Sequence, residues 1–134
     1  MENSKHTPYD NKPAIGFKFA WNGIVHFFRS QLNARIHAVI AIFVLVAGWF
    51  AKLSTAEWII IVICIGLVFT AEMLNTAIEL LTDLVSPEYN KKAGQVKDMA
   101  AAAVLVSAIA AAAAGLWIFL PRIYVLICTW SGIC

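Results

Sequence analysis

Three long apolar runs dominate the pattern of hydrophobic and polar positions along the chain. They cover residues 36–51, 58–71 and 99–120. The first two runs are shorter than the roughly 20 residues that a helix needs to cross a bilayer, so we expect both to extend as helices at their polar ends. Open strands would leave backbone groups unsatisfied in lipid, and the alanine-rich third run favours helix. The pattern therefore predicts an all-α integral membrane protein whose spans cover about residues 33–51, 58–81 and 99–120.

A further helix is predicted before the first span, over residues 14–30, because apolar and polar side chains separate onto opposite faces at helical spacing. The apolar face carries Phe17, Ala20, Trp21, Ile24, Val25 and Phe28. The polar face carries Lys18, Asn22, His26 and Arg29. Such a helix is typical of a segment lying in the membrane interface. It is expected to be either a plain anchor or an anchor in which Lys18 or Asn22 also meets a ligand.

The positive charges predict the orientation of the spans. Eight of the ten Lys and Arg residues fall on one side, and they are Lys5, Lys12, Lys18, Arg29, Arg35, Lys91, Lys92 and Lys97. Only Lys52 and Arg122 fall on the other side. Because cytoplasmic segments carry the excess of positive charge, the N-terminus and the loop 82–97 are predicted to be cytoplasmic. A polar N-terminal tail, 1–13, precedes the helices, and a short apolar C-terminal tail, 121–134, is expected on the outer side.

Composition narrows the possible classes of protein. Hydrophobic residues make up 61% of the chain and charged residues only 13%, so lipid is the main solvent of its surface. The net charge of +2, without a run of Lys and Arg, argues against a nucleic-acid partner. Cys64, Cys128 and Cys134 lack the spacing of a zinc site or a disulfide framework, so we expect them to be packing residues.

The second predicted span carries an acidic stripe formed by Glu72, Asn75, Glu79 and Asp83. At about 100° per residue, these four positions fall within an arc of roughly 80° on one helix face. A carboxylate near hydrocarbon is unfavourable unless it faces protein or water, so Glu72 and Glu79 are functional candidates. Asp83, near the helix end, is equally compatible with a solvated position at the interface.

Spacing along the stripe suggests a division of roles. Glu72 and Glu79 lie about 10 Å apart along the axis, which is too far for twin ligands of one ion. Glu79 is therefore expected to bind a metal that holds phosphate oxygens, whereas Glu72, deeper in the membrane, meets a lipid head group and can act as a general base. The amide of Asn75 suits either holding a phosphoryl group or orienting a carboxylate.

Lys97 and Asp98 form a second polar cluster, directly before the third span. A lysine ammonium can pair with anionic phosphates, although a Lys–Asp pair at the start of a span is also a common interfacial anchor. The chain contains neither a P-loop nor a GxGxxG motif, which argues against the familiar nucleotide-binding folds.

Five segments in this order resemble the signature of the prokaryotic diacylglycerol kinase and undecaprenol kinase family: WNGI, QLNARIH, AEW, EMLNTAIELLTDLVSPEY and KDMAAAAVLVSA. The similarity covers roughly residues 16–120. The resemblance implies a membrane lipid-kinase domain over 14–120 and a homotrimer in the bacterial cytoplasmic (inner) membrane, with a composite active site at the cytoplasmic boundary. It also implies transfer of the γ-phosphoryl group from ATP, with Mg²⁺, to a lipid hydroxyl in phospholipid metabolism.

The resemblance also assigns roles to individual residues. It implies that Glu72 is the catalytic base and that Glu79 is a metal ligand. Residues implied around the nucleotide and its phosphates are Lys18, Asn75, Asp83, Lys97 and Asp98. Glu72 and Ala101 are implied to contact the lipid substrate.

One position departs from the family pattern. Gln31 stands where the family has a second metal-ligating Glu. A glutamine oxygen can bind Mg²⁺ but lacks the negative charge that a hard cation prefers, so weaker metal binding is expected.

Three functions are compatible with these residues. The leading one is an ATP-dependent lipid kinase acting on diacylglycerol or undecaprenol. The alternative is a non-catalytic membrane protein of the same fold that binds lipid or nucleotide, because Gln31 replaces a metal ligand. A third is a proton- or ion-conducting assembly built on Glu72 and Glu79. Lys97 and Asp98 favour the kinase, since a channel needs no phosphate-binding cluster.

Overall fold

The protein is all-helical in a computed structural model that describes residues 16–131. Its four helices are α1 (Gly16–Ser30), α2 (Leu32–Phe50), α3 (Thr55–Val85) and α4 (Lys91–Ser131). The polar tail 1–13, the predicted helix start at Ala14 and residues 132–134 of the predicted C-terminal tail lie outside the described residues. Helices α2, α3 and α4 are each long and apolar enough to cross a membrane, as predicted for the three spans.

Helix α3 is the centre of the arrangement. Helix α4 packs along α3, α2 packs more sparingly against α3, and α1 packs against α2. Within the described residues most large apolar side chains of these helices face outward. Such a surface suits lipid or another subunit, and both the homotrimer and the interfacial position of α1 stay predictions.

A tight turn joins α2 to α3, and we call this end of the bundle the turn end. The N–H of Leu53 donates to the carbonyl of Gly48 (3.3 Å) and that of Lys52 to the carbonyl of Trp49 (3.2 Å). These two bonds form a Schellman motif, which requires a left-handed residue after the helix. Lys52 takes that conformation with φ 51°, although glycine is the usual residue there.

The buried core lies at the turn end. Leu53, Ile61 and Ile118 pack together there, one from each of the turn, α3 and α4. Gly48 lets the turn come close, because a β-carbon on it would lie 3.0 Å from both Leu53 Cδ1 and Trp58 Cη2. The core therefore holds the three long helices together far from the acidic stripe.

Helix α4 differs from the predicted third span, because it does not end near residue 120 but continues to Ser131. Pro121 lies inside it, although proline removes a backbone donor and usually breaks a helix. Beside the proline, the Arg122 guanidinium donates to the Ile118 carbonyl (2.8 Å) and to Glu57 Oε2 of α3 (2.8 Å). Prolines are tolerated in membrane-spanning helices, and the Arg122–Glu57 bond ties α4 to α3 directly after this one.

The cysteines also differ in part from expectation. Cys64 is free, in agreement with a packing role, but Cys128 is disulfide-bonded. The expectation for Cys128 was wrong because spacing along the chain does not report which sulfur atoms meet in space.

Candidate active site

Helix α3 carries the acidic stripe out of the apolar layer. It is 31 residues long, or about 46 Å at 1.5 Å per residue, against a hydrocarbon thickness of about 30 Å. Counted from the N-cap Ser54 at the turn end, Glu72 lies about 27 Å along the helix and Glu79 about 37 Å. If Ser54 lies at one membrane surface, these distances place Glu72 inside the opposite edge of the hydrocarbon and Glu79 beyond it.

Glu72 is buried, with 3% of the residue exposed, and it faces α2. His37 Nε2 lies 3.2 Å from Glu72 Oε1. This pairing was not predicted from the sequence, where His37 is only the last residue of QLNARIH. One signal could have suggested the pair. His37 lies near the start of one apolar span, and Glu72 lies near the end of the next, antiparallel span.

Asn75 and Glu79 form the next pair along the stripe. Asn75 Nδ2 donates to Glu79 Oε1 over 2.9 Å, so the amide orients a carboxylate, one of its two expected uses. Asn75 Oδ1 is buried without a hydrogen-bond partner in the described structure. Carboxylate and amide oxygens are the ligands that a hard cation prefers.

Asp83 and Lys97 form an ion pair that joins α3 to α4. The Asp83 side chain is 65% exposed and the Lys97 side chain 36% exposed, so both remain accessible to water. Because an ammonium has three donors, Lys97 can hold Asp83 and still offer a donor to an anion. The pair closes the end of the bundle at the α3–α4 loop, which we call the loop end.

Gln31 is the N-cap of α2, with extended backbone (φ −107°, ψ 119°) and no side-chain capping bond. It lies six residues before His37, and Glu79 lies seven residues after Glu72. At 1.5 Å per residue, Gln31 is about 9 Å from His37 along α2, and Glu79 is about 10 Å from Glu72 along α3. Because the two helices run antiparallel, both displacements point in the same direction from the His37–Glu72 pair. Gln31 and Glu79 are therefore at similar depth.

The remaining predicted site residues, Lys18, Asp98 and Ala101, are exposed. No hydrogen bond or ion pair within the described part of the chain joins them to the stripe. No group of three or more His, Cys, Asp or Glu that could hold a metal is present among residues 16–131. A magnesium ion normally takes only one or two protein carboxylates together with phosphate oxygens, so Glu79 and Asn75 Oδ1 fit an ion that arrives with a nucleotide.

Arg35 was counted only as a charge in the sequence, but it fixes the corner between α1 and α2. Its Nε donates to the Phe28 carbonyl (2.9 Å) and its Nη2 to the Arg29 carbonyl (2.6 Å), at the C-terminal end of α1. The Phe28 ring lies 5.8 Å from the Phe69 ring of α3. These contacts hold α1 beside the stripe-bearing helix.

An apolar groove of about 1160 Å³ runs between α2 and α4 over the surface of α3. We call it the α2–α4 groove, and its lining includes His37, Ile40, Phe69, Ala108, Ala112 and Leu116. His37 thus belongs both to the groove and to the pair with Glu72. A chain-like apolar molecule in the groove would have one end next to a buried carboxylate.

The fold and the site define an all-helical membrane protein with a phosphate-compatible polar cluster next to a lipid-sized apolar groove. Residues 18–119 match the family model described as prokaryotic diacylglycerol kinase, and the chain belongs to this family. The family assignment identifies an enzyme of the lipid-kinase class and confirms the resemblance seen in the sequence.

Individual relatives agree with this assignment. The chain is 39% identical to the undecaprenol kinase of Bacillus subtilis over 123 residues, which cover 92% of this chain and 100% of that protein. It is 37% identical to the diacylglycerol kinase of Synechocystis over 108 residues, which cover 80% of this chain and 62% of that protein. Identity to the diacylglycerol kinase of Escherichia coli K12 is 28%, over 69% of this chain and 76% of that protein.

Proposed function

We propose that this protein transfers the γ-phosphoryl group of ATP, bound with Mg²⁺, to the hydroxyl of a membrane lipid, either diacylglycerol or undecaprenol. The observation that carries the proposal is the position of Glu72. This carboxylate is buried and is paired with His37, which lines the α2–α4 groove. A lipid hydroxyl and a water-soluble nucleotide can meet at such a position.

Glu72 acts as the general base in the proposed reaction. With the lipid chain in the α2–α4 groove, the hydroxyl lies at Glu72, which accepts its proton as the oxygen attacks the γ-phosphorus. The bond from that phosphorus to the β–γ bridging oxygen breaks, and ADP leaves with the electron pair. Because phosphoryl transfer depends mostly on positioning and charge stabilisation, the protein needs few reactive groups.

The phosphate side of the site is supplied by the stripe beyond Glu72. Glu79 and Asn75 would hold the metal, and the Lys97 ammonium would offer its positive charge to the phosphates. Bound Mg²⁺ supplies neutralisation of the charge that develops on the phosphate oxygens. Lys18, Asp83 and Asp98 surround the nucleotide, and Ala101 lies against the lipid.

Assembly and orientation complete the proposal. Three copies form a homotrimer in the bacterial cytoplasmic membrane, with the loop end and the N-terminus in the cytoplasm, where ATP is found. The sequence supports this orientation, since eight of its ten Lys and Arg residues belong to the segments proposed to be cytoplasmic. The outward apolar faces of α2 to α4 provide surface for contacts between subunits.

Gln31 favours one alternative, a non-catalytic relative that binds lipid or nucleotide. It lies at the depth of Glu79 and brings an amide where the family pattern has a carboxylate. A single carboxylate with an amide oxygen binds Mg²⁺ more weakly than two carboxylates.

The decisive experiment is phosphoryl transfer measured with the purified full-length protein in lipid bilayers. Radiolabelled γ-phosphate from ATP is offered to diacylglycerol and undecaprenol in parallel, with and without Mg²⁺. We expect label in at least one lipid and dependence on the metal. Absence of transfer to both lipids, with a folded protein that still binds ATP, would favour the non-catalytic alternative.

A further inference from the structure

The pairing of His37 with Glu72 is unusual for its place in the membrane. Both residues lie in helices that are apolar enough to span it, and the Glu72 side chain is only 4% exposed. Isolated charged groups are strongly disfavoured in such surroundings. A polar partner 3.2 Å away on a different helix therefore stabilises the buried carboxylate.

We propose that His37 is a positioning residue for the general base, an inference that rests on the proposed kinase function. The Nε2–H of His37 donates to Glu72 Oε1, which leaves Oε2 to accept the proton of the lipid hydroxyl. A hydrogen bond to Oε1 restricts rotation of the carboxylate, so Oε2 stays in one orientation. The bond also spans α2 and α3, so it fixes the base relative to the groove.

The position of His37 in the α2–α4 groove strengthens this role. The imidazole lines the groove while its Nε2 faces the carboxylate, so one side chain joins the apolar chain site to the base. His37 Nε2 is the only side-chain nitrogen in ion-pair contact with the Glu72 carboxylate among the described residues. Thr76 Oγ1 bonds only to the backbone carbonyl of Glu72 (3.0 Å), so it leaves the carboxylate unconstrained.

Two substitutions separate hydrogen bonding from other roles of the histidine. His37→Leu introduces an apolar side chain of similar size and removes the hydrogen-bond donor. His37→Gln keeps an N–H near the position of Nε2. We expect kcat to fall at least about tenfold in His37→Leu and to recover to within about threefold of the parent in His37→Gln. The KM for ATP stays unchanged in both variants, because the nucleotide binds farther along the stripe.

His26→Leu is the matched control, since His26 is an exposed histidine on α1. It is expected to keep the parent kcat. Thermal stability and oligomeric size of all variants are measured in the same detergent. Parent-like kcat in His37→Leu would overturn the proposal. A folded His37→Gln as slow as His37→Leu would also overturn it, because a donor would then be insufficient.

A spectroscopic measurement tests the bond without relying on turnover. In ¹⁵N-histidine NMR of the full chain in bilayers, the His37 signals are assigned from His37→Leu and are expected to show a proton on Nε2. Glu72→Leu should shift these signals and leave those of His26 in place. Unshifted His37 signals would overturn the pairing, whereas a parent inert towards both lipids, with the shift present, would instead overturn the kinase function.

Discussion

Asn75 Nδ2 donates to Glu79 Oε1 across one turn of α3, at 2.9 Å. The bond places the two oxygens that suit a cation, the Glu79 carboxylate and the buried Asn75 Oδ1, on the same helix face. Groups that orient a metal ligand commonly change metal affinity or activity by about 10- to 100-fold when they are removed.

Asn75→Leu is therefore expected to raise the Mg²⁺ concentration needed for half-maximal activity by about tenfold or more. The substitution keeps the side-chain volume but removes both the donor to Glu79 and the unpaired oxygen. The measurement is initial rate against Mg²⁺ at saturating ATP and lipid. An unchanged Mg²⁺ requirement in an active variant would show that Asn75 takes no part in metal binding.

Glu72→Gln is expected to lower phosphoryl transfer about a hundredfold or more, because general-base catalysis is typically worth that much. The side chain keeps its shape, so insertion and assembly should be unaffected. Glu88→Gln is the matched control, since Glu88 is an exposed glutamate in the α3–α4 loop. Glu72→Gln activity within about threefold of the parent would contradict the general-base role.

The proposed orientation of the chain predicts from which side of the membrane the α3–α4 loop is accessible. A cysteine introduced by Glu88→Cys should react with a membrane-impermeant maleimide from the cytoplasmic face only, above the background of the parent cysteines. Inside-out and right-side-out vesicles give the two measurements. Labelling from the outer face would reverse the proposed topology.

The backbone conformation of Lys52 leads to a prediction about the free energy of unfolding that is independent of function. Its φ of 51° is unfavourable for a residue with a β-carbon, whereas glycine adopts it readily. Lys52→Gly should stabilise the fold by on the order of 0.5 to 1 kcal/mol, after the greater flexibility of glycine in the unfolded chain is subtracted. Lys52→Ala controls for loss of the charge and should bring no gain. Thermal unfolding in detergent compares the three proteins.

Local patterns were sufficient for the helices and the stripe. Three apolar runs predicted α2, α3 and α4, and the spacing of Glu72, Asn75 and Glu79 alone placed them on one face. Such features depend only on helical geometry within one segment. The Asn75–Glu79 bond lies within this reach, because residues one turn apart on a helix are neighbours.

These local patterns did not predict the contacts between helices. The His37–Glu72 pair depends on the rotation of α2 against α3, which the hydrophobic periodicity of α2 does not specify because α2 is apolar on nearly every side. The bond from the Arg122 guanidinium of α4 to Glu57 of α3 joins two residues that lie far apart in the sequence. Neither relationship is visible in a single segment.

Gln31 provides the last prediction, because it lies at the same depth as Glu79 on the antiparallel neighbour helix. Gln31→Glu is expected to lower the Mg²⁺ concentration for half-maximal activity by about tenfold. One added carboxylate near a divalent ion contributes on the order of 1 to 4 kcal/mol of attraction in partly exposed surroundings, before desolvation reduces it. Gln95→Glu, the same change on exposed α4, is the control and should leave the Mg²⁺ requirement unaltered.

Two contrary outcomes of the Gln31→Glu experiment lead to different conclusions. An active variant with the parent's Mg²⁺ dependence would place Gln31 outside the metal site, and Glu79 with Asn75 would then be the ligands of this chain. An inert parent that gains activity from Gln31→Glu alone would show that the fold and Glu72 are competent but that the missing carboxylate prevents catalysis. The natural protein would then be a non-catalytic relative, because a hard cation site deprived of one negative charge binds Mg²⁺ too weakly for turnover.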